Sequence, residues 1–330
     1  MNYESIKAPI IAEFALFQQF LDSAFSAEEQ LLKKVLDHVR TQKGKQVRPV
    51  FTLLCAKLCA APNNKTINVA AAYELLHTAS LIHDDVVDNT MERRGQPSAN
   101  ALFDNRTAVL VGDYLLSKSM QFIAETGVPE LYTQLALLGN VLTRGELLQL
   151  QHSYSIPTEE DYIEIIKKKT AVLFTISAES AAISVGATAE QREALRQFAE
   201  YLGICFQIKD DIFDYTPNAQ IGKPTLNDIR EGKFTLPLIH ALESIHANEA
   251  SLILDAVKKR QFTEDFFYTI GSLVARTGGI EYAEKQMEQY RQKAIEALSI
   301  FADSEIKEAL RIKEAAAEGF RKLGNPKKAA

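Results

Sequence analysis

The stretch "INVAAAYELLHTASLIHDDVVDN", Ile67–Asn89, runs an apolar segment into three aspartates, Asp84, Asp85 and Asp88. Its Ala, Leu and Glu content favours helix, and its apolar residues lie on nearly every side, as in a helix at the centre of a bundle. At 100° per residue, His77, Asp84 and Asp88 fall within about 20° of one line, and Ser80 sits one turn below Asp84. Carboxylates at i and i+4 have β-carbons roughly 5–6 Å apart and repel. Unpaired inside a bundle they would destabilise it or take up protons. A second apolar helix ends the same way, in "QIKDDIFDY", with Asp210, Asp211 and Asp214.

Three remedies exist for such acids: a solvated helix end, pairing with Arg or Lys, or a hard divalent cation. Carboxylate oxygens suit Mg²⁺, which keeps waters and completes its shell with substrate phosphates. The second copy strengthens the cation reading, since two such helices facing each other would form an acidic mouth. EF-hand spacing is absent, and His and Cys are too sparse around the acids for zinc.

The rest of the chain frames the mouth. It has 330 residues, 46% of them hydrophobic, which suffices for a large core. Helical patterns recur in "EEQLLKKVLDHV", "YLLSKSMQFIAE", "ELYTQLALLGNVLTRGELLQLQ" and "EALRQFAEYLGICFQIKDD", and strand-like alternation is nearly absent. No low-complexity linker divides the chain, so residues 1–330 read as a single all-α domain, a large helical bundle. The net charge of −6 argues against nucleic acid as the main partner. Cys55, Cys59 and Cys205 imply no disulfide framework and read as buried thiols. The longest charge-free run, "LYTQLALLGNVLT", is too short to span a bilayer. With an N-terminus unlike a signal peptide, the expectation is a cytoplasmic protein without a transmembrane segment.

Basic residues stand near the acids or in glycine-containing breaks: Lys45 and Arg48 in "GKQVRP", Arg93 and Arg94 in "MERRGQP", Lys169 in "KKKTAVLF", Lys223 in "IGKPTLND" and Lys233 in "EGKFTLP". Arginine clamps phosphate through paired N–H donors, and lysine acts as a point charge. Acids, Mg²⁺ and a basic rim make a diphosphate site. An apolar interior beneath it suggests a diphosphate with a hydrocarbon tail.

These motifs, in this order, resemble the trans-isoprenyl diphosphate synthases, or polyprenyl synthetases. The resemblance runs from "GKQVRP" through "LIHDDVVDNTMERRGQPS", "VGDYLLS", "GELLQL" and "KTA" to "FQIKDDIFDY" and "GKPTLNDIREGKFTLP". It implies a helical bundle around a central apolar cavity, usually a homodimer, dependent on Mg²⁺ (roughly three ions with bound diphosphate). By resemblance, Asp84, Asp85, Asp88, Asp210, Asp211 and Asp214 hold the metal cluster. Arg93, Lys169, Lys223 and Lys233 hold the allylic diphosphate. Lys45, Arg48, His77 and Arg94 bind isopentenyl diphosphate. Lys169, Thr170 and Gln207 line the reaction centre, where their dipoles would steady an allylic cation shielded from water.

The growing chain would run down the first acidic helix past Ala79 and Ser80. One helical turn is about 5.4 Å, close to one extended isoprene unit. Small residues there leave a tunnel open, and in the family they accompany octaprenyl-type products. A geranylgeranyl- or farnesyl-length synthase is the nearest alternative. A class I terpene cyclase and a non-catalytic partner subunit are the remoter ones. A long product would have to pass to a membrane. Two departures from the family pattern are Leu226, where glycine is usual, and the missing second glycine before Lys45.

Overall fold

The protein is described from a computed structural model covering residues 3–42, 44, 46–215 and 226–311, so Lys45 and Lys223 lie outside the described residues. The described chain is all-α. Helices α1 (Tyr3–Lys7), α2 (Ile11–Ala24), α3 (Gln30–Thr41), α4 (Val47–Cys59) and α5 (Asn64–Val87) lead to a two-strand ladder, β1 (Glu92–Arg93) and β2 (Gln96–Pro97). Then come α6 (Ala99–Leu102), α7 (Asn105–Glu125), α8 (Pro129–His152), α9 (Glu159–Ile166), α10 (Val172–Ser184) and α11 (Ala189–Asp214). The last are α12 (Asn227–Arg230), α13 (Leu236–Glu243), α14 (Ala247–Lys258), α15 (Glu264–Arg276), α16 (Gly279–Ala297) and α17 (Glu305–Leu310). No helix among the described residues is long and apolar enough to cross a membrane.

The chain folds into two compact units. One gathers the chain up to Ala136, Ile176–Arg196 and the stretch from Leu298; the other gathers Leu137–Thr175 and Gln197–Ala297. In the first, α5 is the central element, packed against α7, α4 and α2. Its start is sealed by a capping box, in which Asn63 accepts from the Thr66 backbone N–H and Thr66 from that of Asn63. It buries Ile67, Leu75, Leu76 and Ile82. Each stabilises by about 1.5–3 kcal/mol, enough to carry the acids at its far end. Tyr73 on the same helix hydrogen-bonds Ser180 at 2.7 Å. His83 lies against Gly112 of α7, where a β-carbon would fall 2.2 Å from its ring. That glycine is what lets α5 and α7 approach at this level.

The second unit has its own core, built from Ile204, Ile208 and Ile212 of α11, Tyr162 and Ile166 of α9, and Leu236, Leu238 and Ile239 of α13. Between α9 and α10 the chain widens into one π turn, Lys167–Ala171. Such turns frequently mark functional sites.

Candidate active site

Both acidic motifs sit at helix C-termini. Asp84 and Asp85 lie in the last turn of α5 with Asp88 as its C-cap, and Asp210, Asp211 and Asp214 close α11. The helix dipole is negative there, so carboxylates add an unfavourable negative charge and a cation offsets it. Asp88 and Asp210 are exposed and Asp84 is half-buried.

In the first unit the middle acid is spoken for. Asp85 is 2% exposed. The guanidinium of Arg93 donates to both of its oxygens, with Nε at 2.9 Å from each and Nη2 at 2.6 Å from one. Arg93 stands on β1, paired with Gln96 across the turn. The turn residues Arg94 and Gly95 have φ of +54° and +76°. This left-handed pair suits a tight hairpin, and its first position costs a non-glycine residue about 1–2 kcal/mol. The hairpin is strapped to the end of α3: the Gln42 amide donates to the Pro97 carbonyl at 2.7 Å, and Arg94 Nη1 donates to the Gln42 carbonyl at 2.5 Å. Gly44 leaves room for the Arg94 guanidinium, which a β-carbon would meet at 2.7 Å.

His77, Arg93, Arg94, Gly44 and Gln46 line a cavity of about 50 Å³ in this unit. Arg48 Nη1 donates to His77 Nε2 at 2.9 Å. Burial first, and then the charges of Arg48, Arg94 and Arg93, hold the His77 imidazole well below its ordinary value of 6.5. It is therefore a neutral acceptor in a cationic pocket. Ala79 is buried, and the half-buried Ser80 donates to the His77 carbonyl.

In the second unit the π turn presents Lys169 and Thr170. It is cradled by two glycines: β-carbons on Gly145 and Gly203 would fall 2.7 Å from Lys168 Cβ and 2.5 Å from Ala171 Cα. Lys169 pairs with Glu146 at 2.5 Å and also reaches Gln149. Thr170 donates to Gln207 at 2.7 Å, and Gln207 donates to Asp211 at 2.7 Å. Asp211 also accepts from the Tyr162 hydroxyl at 2.6 Å. Burial and the nearby Asp228 push its carboxyl well above the ordinary range. Asp214 accepts the backbone N–H groups of Asn227 and Asp228 at 3.1 and 3.0 Å, tying the end of α11 to α12. Lys169, Thr170, Gln207, Asp211, Asp228 and Lys233 line a cavity of about 160 Å³.

The structure thus brings His77, Arg93 and Arg94 together in one unit, and Lys169, Thr170, Gln207 and Lys233 in the other. Asp85, Asp211 and Asp214, expected among the metal ligands, have side chains that accept hydrogen bonds from protein partners. Arg93 engages Asp85, and Lys233 pairs with Glu231 at 2.5 Å. Sequence reasoning missed Asp228, whose carboxyl is pushed up to about 6 by burial and then by Asp214. It also missed Tyr162, Glu146 and Gln149. Asp228 lies inside the quoted "GKPTLNDIREGK", where nothing in the pattern separates a half-buried acid on a short helix from an exposed one.

Asp84, Asp88 and Asp210 are hard oxygen donors of the kind a divalent cation takes. Among the described residues no group of three His, Cys, Asp or Glu side chains forms a cage. Mg²⁺ needs none, because one or two carboxylates with water and phosphate oxygens complete its octahedron.

The polyprenyl synthetase family model matches residues 29–269. The chain belongs to that family. A curated relative from Rhodobacter capsulatus, an all-trans-nonaprenyl-diphosphate synthase (geranyl-diphosphate specific), is 38% identical over 310 residues, 93% of this chain and 94% of that one. A solved polyprenyl synthase from Caulobacter crescentus, complexed with calcium and isoprenyl diphosphate, is 33% identical with a TM-score of 0.88, covering 96% and 97% of the two chains. A geranylgeranyl pyrophosphate synthase from Bacteroides thetaiotaomicron is 40% identical with a TM-score of 0.81, covering 97% of each chain. This polyprenyl synthetase is a trans-prenyltransferase, and its substrates are isopentenyl diphosphate and an allylic diphosphate.

Proposed function

We propose that this polyprenyl synthetase makes a long-chain all-trans polyprenyl diphosphate in the octaprenyl range, and that the whole chain acts as one catalytic domain. The observation that carries the site assignment is the cavity that joins Lys169 and Lys233 to Thr170 and Gln207 beside the end of the second acidic helix. Two cations over a polar floor suit a diphosphate whose leaving group must be stabilised as its C–O bond ionises.

Asp84, Asp88 and Asp210 are the metal ligands in this reading, and Asp85, Asp211 and Asp214 hold the surrounding backbone and side chains in place. Mg²⁺ bound there supplies charge neutralisation for the departing diphosphate. Lys169 and Lys233 hold the allylic diphosphate, exchanging Glu146, Gln149 and Glu231 for phosphate oxygens, and Lys223 joins them. Arg93 acts through Asp85 and from the rim of its own cavity. Arg94, His77 and Arg48, with Lys45, receive isopentenyl diphosphate. A neutral His77 donates or accepts one hydrogen bond without repelling the guanidiniums around it. Thr170 and Gln207 orient oxygen dipoles toward the cation formed beside them. The released diphosphate is the base for proton loss, since no side chain among the described residues is placed for that role.

The long product rests on Ala79 and Ser80, one turn below the acids of α5. The 40% identity to a geranylgeranyl synthase is what keeps the shorter product in play. Exposed Val109, Leu110 and Met120 on α7 support a homodimer, since apolar side chains of this size gain from being covered by a second copy. A long product also requires handing over to a membrane. The decisive experiment incubates the protein with farnesyl diphosphate, labelled isopentenyl diphosphate and Mg²⁺, and sizes the products by chromatography. A ladder ending well beyond the geranylgeranyl rung is expected. A stop at that rung rejects the long product and leaves the chemistry intact.

A further inference from the structure

We propose that Tyr154, which neither motif reading nor family resemblance singles out, is the positioning residue that sets the spacing of the two cavity lysines, Lys169 and Lys233. The inference rests on the assignment of that cavity to the allylic diphosphate. Tyr154 lies in the turn after α8, five residues beyond Gln149, whose side chain meets Lys169. Its backbone N–H donates to the Gly232 carbonyl at 3.0 Å. Its ring fills the space that a side chain on residue 232 would need, since a β-carbon there would fall 2.7 Å from the ring. Gly232 lines the cavity and immediately precedes Lys233, whose own N–H donates to the Asp228 carbonyl at 2.9 Å. One residue therefore braces the end of α8, which steadies Lys169, against the loop that carries Lys233.

The backbone supports this reading. Tyr154 has a φ of +60°, and Gly232 opposite it has a φ of +76°. A bulky residue in the left-handed region is uncommon and persists where its surroundings over-determine it. Arg260, itself at a φ of +52°, lies over the Tyr154 ring at 5.5 Å from its centroid. The ring is thus flanked by Gly232 and by a guanidinium, a favourable cation–π arrangement. The Tyr154 hydroxyl has no hydrogen bond among the described residues, so the ring and the backbone carry the role.

The test is calorimetric titration of the full chain with farnesyl diphosphate and Mg²⁺, and separately with isopentenyl diphosphate, alongside steady-state KM values. Lys233→Ala serves as the control for the cavity itself. Tyr154→Ala is expected to weaken farnesyl diphosphate binding and raise its KM about tenfold. Isopentenyl diphosphate should stay within about twofold. Tyr154→Phe should match the unmodified protein. Tyr154→Leu, which keeps apolar bulk, replaces the alanine variant if circular dichroism shows that variant unfolded, with a smaller effect in the same direction. If Lys233→Ala weakens farnesyl diphosphate and the folded Tyr154 variants do not, the strut is wrong and the cavity assignment stands. Equal weakening of both substrates, or a Tyr154→Phe as impaired as Tyr154→Ala, also overturns it. If Lys233→Ala binds normally, the cavity assignment falls and the proposal with it.

Discussion

In the first acidic motif the middle aspartate, Asp85, is buried against a guanidinium; in the second, Asp211 is as deeply buried against a phenol and an amide. Each copy also keeps one exposed aspartate at the C-terminal end of its helix, Asp88 in the first and Asp210 in the second. Repetition in sequence therefore marks the shared task, and the difference in partners marks what each copy must also hold. Asp85 fixes the hairpin that carries Arg93 and Arg94. Asp211 fixes Gln207, which meets Thr170 in the π turn.

The largest expected effect tests what the copies share. Asp84→Ala and Asp210→Ala should each lower turnover by on the order of 10³-fold, because each removes a donor to the leaving-group charge. The helical circular dichroism signal should remain. Retained activity in one variant alone would mean that only the other copy serves the metal.

The next effect tests what they do not share. Asp85→Asn leaves Arg93 beside a neutral amide and should destabilise the protein by about 2–3 kcal/mol. The figure lies below that of a fully buried pair because Arg93 is 28% exposed. Asp211→Asn keeps the shape, its oxygen still accepts from Gln207, and the Tyr162 hydroxyl can turn to accept from the new amide, so its stability should change by no more than about 1 kcal/mol. Urea unfolding of both variants compares them directly. Equal losses would abolish the distinction.

Much of this architecture is legible in the amino-acid sequence. Two apolar runs ending in i, i+1, i+4 acids have one consistent reading as helices, and the basic residues in glycine-containing breaks point to phosphate. The pattern does not say which acids are buried, because Asp84 and Asp85 are neighbours in sequence and differ only when the hairpin folds back. The π turn is equally hidden: "KKKTA" continues a helical pattern, and Gly145 and Gly203, which pack against it, stand elsewhere in the chain. Leu226 illustrates a further limit. It occupies a left-handed position at a φ of +61°, which accounts for glycine being usual there, and here its burial in the core offsets the strain.

The helices leading to the two motifs also differ. Four and five residues before the first aspartate stand Ser80 and Ala79; before Asp210 the same positions hold Phe206 and Cys205. Phe206 packs on Phe174 at a centroid distance of 5.8 Å. The first helix thus carries the smaller side chains at these two positions. Ala79→Tyr should shorten the chain by several isoprene units in the product-sizing assay, at nearly unchanged first-condensation rate. A full-length ladder from that variant would place the tunnel elsewhere.

The smallest effect separates the two cavities by their response to acid. His77 is held neutral in the folded state by burial and by three arginines. Its folded pKa lies below the unfolded value of about 6.5. As the pH falls through that value the unfolded chain takes up a proton that the folded chain refuses, so stability is lost on acidification. The slope from this one group is at most about 1.4 kcal/mol per pH unit. His77→Gln removes it while keeping a hydrogen-bond acceptor for Arg48. Urea unfolding between about pH 7 and about pH 5 should therefore show a shallower decline in the variant. Parallel declines would mean that His77 is protonated in the folded protein, and the pocket would then hold one more positive charge before any diphosphate arrives.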